Sequence, residues 1–136
     1  MGYEFSIQNT IYDVLSTTSA VTSLADVYDN VPQAADAGSD AAFPYITVGE
    51  DTLVEWDTDT ELGADCTITI HTWSRYRGSK ETKQIQGAIY AALHRANLTV
   101  SGYNLVGIDW LQSESFMDTD GLTRHGVQTF RITIEE

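Results

Sequence analysis

The sequence predicts an α+β fold in which two helices pack on a mostly antiparallel sheet of four to five strands. Two observations carry this prediction. Segment 66–73 alternates apolar and polar residues, as a strand with one buried face does. Segment 79–95 follows it with apolar residues at helical spacing. Most of the other predicted strands follow one another without a helix between them, which favours an antiparallel sheet with helices added to it. The length of 136 residues predicts one domain over 1–136.

The first part of the chain predicts a helix, a short turn and a short strand. Four apolar residues recur at helical spacing and predict a first helix over 5–17. They are Ile7, Ile11, Val14 and Leu15. A further turn is expected at 20–25, and 27–32 is predicted as a strand that Pro32 ends. The small polar residues of 33–42 lack periodicity and predict a loop.

The middle of the chain contains the clearest patterns. A strand is predicted over 43–49, and part of the acidic segment 50–65 is expected to continue it. In the strand 66–73, one face is predicted to be apolar, with Cys66, Ile68 and Ile70. The helix 79–95 is expected to lie on the sheet through one stripe. The stripe consists of Ile85, Ala88, Ile89, Ala92 and Leu93.

The last part of the chain predicts two long strands. Residues 98–100 are expected to lead through a turn into a strand over 103–111. One side of that strand is predicted to carry Val106, Ile108 and Trp110. A loop is expected at 118–121, where an Asp-Gly pair favours a tight turn. The closing strand, 127–135, is predicted to bury Phe130, Ile132 and Ile134.

Charge is distributed unevenly along the chain, whose formal net charge is −13. Residues 1–74 contain 13 of the 20 carboxylates and no Lys or Arg. Five of the seven basic residues lie in the turn and helix that follow. These are Arg75, Arg77, Lys80, Lys83 and Arg95. Binding along a nucleic-acid backbone needs a broad basic surface, so this composition argues against that class of function.

No pattern of catalytic or metal-binding residues stands out. His71, His94 and His125 lie on different predicted elements, and Cys66 is the only cysteine. An acidic run that begins at Asp57 resembles the start of a calcium loop. It has Leu62 where that loop needs glycine and Ile68 where it needs glutamate, so a solvated loop is favoured. Nucleophile and phosphate-binding motifs are absent, and no enzyme activity, cofactor or metal is predicted.

Several segments, taken in order, resemble one protein family. They are Ile11-Tyr12 with Leu15, the strand 27–32, the strand 43–49, the strand end 70–75, the helix segment 89–93 and the hairpin 118–127. Together they resemble the tail completion, or tail terminator, proteins of long-tailed bacteriophages and of phage-derived particles such as gene transfer agents. The resemblance covers nearly the whole chain.

The resemblance implies a structural virion protein with an α+β fold and no catalytic residues. Such a protein forms a ring, typically a hexamer, at the head-proximal end of the tail tube. The ring stops polymerisation of tube subunits and forms the tail side of the head–tail junction. The implied partners are further copies of the chain, the tail tube protein and the head–tail connector protein, while DNA passes through without specific binding. Assembly would take place in the bacterial cytoplasm, with no membrane involved.

A ring of this kind needs two different complementary patches on each subunit. We expect the basic turn and helix to face carboxylates of the neighbouring subunit, with aromatic residues supplying apolar burial. The basic residues are Arg75, Arg77, Lys80 and Lys83. The carboxylates are Glu50, Asp51 and Glu55. The aromatic residues are Trp56, Trp73 and Tyr76.

A second hypothesis concerns the channel of the ring. An acidic wall would keep DNA from binding there, and Asp57, Asp59 and Glu61 are the residues expected to line it. Two other functions are compatible with the sequence. One is a head completion or connector-adaptor neck protein, which would bind the portal side. The other, from a different class, is a small metal- or ligand-binding domain.

Overall fold

A computed structural model describes residues 3–28, 43–55 and 62–136, and the side chains from Phe5 onward within them. Within these described residues, three helices and five strands follow one another. They are α1 (Tyr3–Thr17), α2 (Ser19–Thr22), β1 (Asp26–Tyr28), β2 (Tyr45–Glu55), β3 (Gly63–Ser74), α3 (Lys80–Leu93), β4 (Asn104–Met117) and β5 (Arg124–Glu135). The predicted α+β class is confirmed. The loop 33–42, the second half of the strand 27–32 and the acidic tip at 57–61 lie outside the described residues.

The five strands form one sheet in the order β1-β2-β3-β5-β4. β1 pairs with β2 in parallel, and the other three pairings are antiparallel. Because β5 lies between β3 and β4, those two strands run in the same direction. The connection through α3 is therefore a split β-α-β crossover, with the last strand inserted between its two strands.

The core lies between one face of the sheet and the helices α1 and α3. On β3, residues of even number point into it, including Cys66, Ile68 and Ile70, each at most 1% exposed. β5 contributes Phe130, Ile132 and Ile134 through the same alternation. From the helices come Ile7, Ile11, Leu15, Ile85, Ile89 and Leu93. The predicted faces of both strands and the predicted stripe of α3 are thus confirmed, because period 2 and period 3.6 match the burial.

β4 differs most from its prediction. It begins at Asn104 and continues to Met117, well past the predicted end at residue 111, and Val100 is buried in the segment that precedes it. The register shifts between Leu105 and Gly107 and again between Trp110 and Gln112. Val106 falls in the first shift and is 51% exposed, whereas Ile108 is buried. The prediction that these two share a side with Trp110 is wrong for Val106, because a bulge breaks the alternation.

The β4–β5 loop confirms the turn expected at 118–121. Its chain reversal is closed by a hydrogen bond of 2.7 Å from Asp118 N to Thr123 O, and Gly121 has a φ of 67°. The Asp120 carboxylate accepts hydrogen bonds from the backbone N–H groups of Thr123 and Leu122 and from the Thr123 hydroxyl. These donors, chiefly those of Thr123, lower the pKa of Asp120 to about 2.

Candidate assembly interface

The basic end of the molecule lies where β3 leaves the sheet and α3 begins. Arg77, Lys80 and Lys83 are exposed there, and within the described part of the chain none of them makes an ion pair. Tyr76 stands beside them with half of its surface exposed. We refer to these four residues as the basic end. The charges of Arg77, Lys80 and Lys83 are therefore available to a partner, as the sequence hypothesis requires.

Arg75 has a different environment from the rest of the basic turn. Its guanidinium carbon lies 4.3 Å from the ring centroid of Phe43, and its Nε donates to Thr123 Oγ1 at 3.3 Å. These contacts join the start of β2 to the β4–β5 loop. Arg75 also lines a surface pocket of about 290 Å³ next to the basic end. The pocket residues are Phe43, Pro44, Arg75, Tyr76, Glu81 and Leu122.

Exposed carboxylates lie farther along the sheet, away from the basic end. Glu55 pairs with Ala64, at the end of β3 opposite Ser74, where the basic turn starts. At about 3.3 Å per residue, these two ends of β3 are about 33 Å apart. Asp51, Glu55 and Glu136 are exposed, and we refer to them as the acidic group. A distance of this size keeps Glu55 from pairing with the basic end of the same subunit.

The outer face of the sheet, opposite the helices, carries a chain of three polar side chains. His71 on β3 places Nε2 3.0 Å from a Glu50 carboxylate oxygen. The other ring nitrogen of His71, Nδ1, lies 2.7 Å from His125 Nε2 on β5. Glu50 reaches this face because the β2 register shifts between Val48 and Asp51, and such a bulge re-aims a side chain. Glu50, predicted to face a neighbour, therefore bonds within its own subunit.

Aromatic rings surround the two histidines. The rings of Trp73 and His125 are nearly parallel, with centroids 3.8 Å apart, and Phe116 meets His125 edge-on at 5.0 Å. The indole Nε1 of Trp73 donates to Thr47 Oγ1 at 3.3 Å. Trp73 is half-buried as a result. Only the exposed part of the Trp73 side chain can therefore take the role at the interface that was predicted for it.

The pKa values of this cluster follow from its contacts. The hydrogen bond from His71 holds the pKa of Glu50 below its ordinary value. Burial, assisted by repulsion from His71, lowers the pKa of His125. Elsewhere on the outer face, the Arg131 guanidinium donates hydrogen bonds to the Asp65 carboxylate, with Nε 2.9 Å from Oδ1, and these bonds lower the pKa of Asp65. Near neutral pH, Glu50 and Asp65 are therefore anionic and His125 is uncharged.

Gly49 gives His71 the space that it occupies. A Cβ atom on Gly49 would lie 2.5 Å from His71 Cδ2 and 2.7 Å from its Nε2, so the imidazole ring would have to move away from residue 49. We expect Gly49→Ala to lower the free energy of unfolding by about 1–3 kcal/mol, which is typical of overpacking. Urea unfolding midpoints provide the measurement.

Gly87 supplies the matched control. It lies inside α3 and is exposed, and a methyl group added to its Cα would meet no other atom within 4 Å. Gly87→Ala should therefore stabilise the protein by about 0.5–1 kcal/mol, because alanine is the better helix former. Equal effects of the two substitutions would contradict the close approach at Gly49.

Four of the predicted interface and channel residues lie in a segment that the structure does not describe. Trp56, Asp57, Asp59 and Glu61 lie outside the described residues. Among the residues that are described, no three His, Cys, Asp or Glu side chains could together hold a metal ion. Within the same residues, no helix has the length and apolar character needed to span a membrane.

Comparison with known proteins identifies the family. A family model described as "Tail completion protein gp17" matches residues 9–135. The chain is a member of this family. A curated relative, "Tail completion protein gp17" of Bacillus phage SPP1, is 26% identical over 120 residues, which cover 88% of this chain and 89% of the relative. This tail completion protein is therefore a structural virion protein of the phage tail, and the resemblance predicted from its sequence is confirmed.

Solved structures share its fold. A chain from the "Virion of native gene transfer agent (GTA) particle" superposes with a TM-score of 0.87 at 24% identity, covering 98% of both chains. The structure of bacteriophage SPP1 gp17 superposes with a TM-score of 0.62 at 22% identity, covering 95% of this chain and 88% of the other. At these identities the likeness establishes the fold alone.

Sequence reasoning missed the joined histidines. It placed His71 and His125 on separate elements, which is true, but β3 and β5 are adjacent in the sheet. His125 pairs with Trp73, two residues from His71, so the histidines are diagonal neighbours. Both have odd numbers, and the even-numbered positions beside them face the core, so the two histidines lie on the opposite face together. The missing information was the pairing register, to which the sequence gives no local signal.

Proposed function

We propose that this tail completion protein caps the head-proximal end of the tail tube as a ring, ends tube polymerisation and forms the tail side of the head–tail junction. Family membership over residues 9–135 is the observation that carries the proposal. The function is one of shape and contact, with no catalytic step. The partners are other copies of the chain, the tail tube protein and the connector protein of the head.

The separation of charge suggests how a ring could close. Contacts in a ring are heterologous, since one patch of a subunit meets a different patch of the next. The basic end and the acidic group are two such patches: Glu55 lies at the far end of β3 from the basic end, and Asp51 lies about halfway along that strand. In the ring, Arg77, Lys80 and Lys83 of one subunit face Asp51 and Glu55 of the next, while Arg75 keeps the adjoining loop in place.

The two kinds of contact contribute differently. Exposed ion pairs stabilise by only about 0–1 kcal/mol each, so the charges fix the register of neighbouring subunits more than they add affinity. Apolar burial supplies most of the association energy. Tyr76 and Leu122, each about half exposed at the pocket of the basic end, are the described residues placed to provide it.

An acidic channel wall is the second part of the proposal. DNA that passes through the ring is repelled by carboxylates and does not bind. Asp57, Asp59 and Glu61 are proposed to supply that wall. Their part stays a prediction, because they lie outside the described residues.

Tail tubes assembled in the presence and absence of the protein would test the function. With it, negative-stain images should show tubes of fixed length, each capped at one end. Without it, tube lengths should be broadly distributed. Tubes of unregulated length and without caps, formed with folded protein, would contradict the proposal. Binding to head connectors but not to tubes would instead indicate a head completion or connector-adaptor protein.

A further inference from the structure

The geometry of the outer face points to a proton-controlled latch. We propose that Glu50, His71 and His125 form a hydrogen-bonded chain across β2, β3 and β5, which we call the latch. The hydrogen bonds of the latch stay intact with zero or one added proton, and the bond between the two imidazoles breaks when both are protonated. The inference concerns the isolated chain and does not depend on ring formation.

The neutral state of the latch has one arrangement of hydrogens that satisfies every contact. The Glu50 carboxylate only accepts, so His71 carries its hydrogen on Nε2. His71 Nδ1 is then an acceptor, and the hydrogen in the 2.7 Å contact belongs to His125 Nε2. Both imidazoles therefore adopt the Nε2–H tautomer, and a directed chain of two hydrogen bonds ends on the carboxylate.

One added proton is compatible with this chain, but two are not. If a single imidazole is charged, the other still offers a lone pair to the shared contact, and Glu50 balances the charge. If both are charged, each nitrogen of the 2.7 Å contact carries a hydrogen, so the bond is replaced by repulsion. The rings must then separate, and the stack of His125 on Trp73 at 3.8 Å is disturbed.

The orientation of the rings favours a shared proton over a shared metal ion. The centroids of the two imidazole rings are 4.9 Å apart. This is close to the 2.7 Å between His71 Nδ1 and His125 Nε2 plus the radius of each ring. The two nitrogens therefore face each other head-on, as an N–H···N hydrogen bond requires. Two histidines bound to one tetrahedral metal ion would instead converge on it at an angle.

The surrounding charges act on the latch in opposite directions. Asp118, Glu50 and Glu114 favour protonation of His125, whereas burial and His71 oppose it and prevail, so the pKa of His125 lies below its ordinary value of about 6.5. The stabilisation from uncharged His125 is thus complete above about pH 6.5 and is lost as the pH falls toward the pKa in the folded state. For each proton taken up on unfolding, the unfolding constant should rise by up to tenfold per pH unit in this range.

Imidazole NMR of the full chain between pH 8 and pH 5 tests the latch. At pH 8, both His71 and His125 should show the Nε2–H tautomer. On acidification they should titrate in two separated steps, and the Trp73 indole resonance should move with the second. An Nδ1–H tautomer for His71 at pH 8 would overturn the proposal, and this measurement needs no variant.

Three substitutions sharpen the test. His71→Gln should raise the titration midpoint of His125 by removing a repelling cation, and Glu50→Gln should lower it by removing the anion. His94→Gln is the control, because His94 stacks on Tyr90 away from the latch and should leave both steps unchanged. Two independent single steps, unaffected by either latch substitution, would overturn the proposal. So would Zn²⁺ at one equivalent binding to both rings, since the pair would then be a metal site.

Discussion

Charge-swapped variants of this protein are expected to assemble only when they are mixed. One variant has glutamate at Arg77, Lys80 and Lys83, so both of its patches are acidic. The other has lysine at Asp51, Glu55 and Glu136, so both of its patches are basic. Each should fail to form rings alone, since every contact would join like charges. In an equimolar mixture, alternating subunits restore opposite charges at every contact, and an even-numbered ring can close.

Native mass spectrometry would measure ring formation in solution, and the fraction of capped tail tubes would measure it on the tube. Arg95→Glu is the control, because Arg95 lies past the end of α3 and its exposed side chain is 3.6 Å from the Asp109 carboxylate at the surface. It should assemble as the unmodified protein does. If each swapped variant assembled alone, the charged patches would not form the interface. If the mixture remained unassembled with both variants folded, these two patches would not be partners.

Phe130→Ala should destabilise the protein by about 3–5 kcal/mol, the range measured for truncating a fully buried aromatic side chain. Phe130 has no exposed surface and lies opposite Ile68 in β3 and Trp110 in β4. Its removal leaves a cavity where the helices meet the centre of the sheet. Since single domains are stable by only about 5–15 kcal/mol, this is a large share of the total. Urea unfolding monitored by circular dichroism would measure it.

Phe5 is the matched control for this substitution. It is the same residue type, but 77% of its surface is exposed on α1. Phe5→Ala should change the free energy of unfolding by no more than about 0.5 kcal/mol. Similar losses for both variants would mean that the buried contacts of Phe130 do not dominate its contribution.

Local patterns were sufficient to predict most elements and the side of each that is buried. β3 and β5 alternate strictly over their inner halves, and α3 carries an apolar stripe with no competing signal, so periodicity alone identified them. β4 was harder to predict because two bulges displace its alternation. Residues 98–100 lead into β4, as expected, and Leu98 and Val100 contribute to the core from this connecting segment.

The arrangement of the outer face was beyond the reach of the sequence for a different reason. Glu50, His71 and His125 are brought together by a bulge in β2 and by the pairing of β3 with β5. Both features depend on strand order and register, which are set by contacts between distant parts of the chain. The basic end was predictable because Arg77, Lys80 and Lys83 are close in sequence and stay close in the fold.

The insertion of β5 between β3 and β4 has a consequence for synthesis on the ribosome. β3 and β4 have no direct ladder with each other, and β5 follows both in the chain. Until β5 has emerged, β1 to β3 form an incomplete sheet and β4 has no strand to pair with. The backbone N–H and C=O groups along the facing edges of β3 and β4 then lack partners, which is the condition that invites aggregation. Completion of the sheet therefore waits for β5, and a chain that lacked β5 would leave the facing edges of β3 and β4 without their ladders.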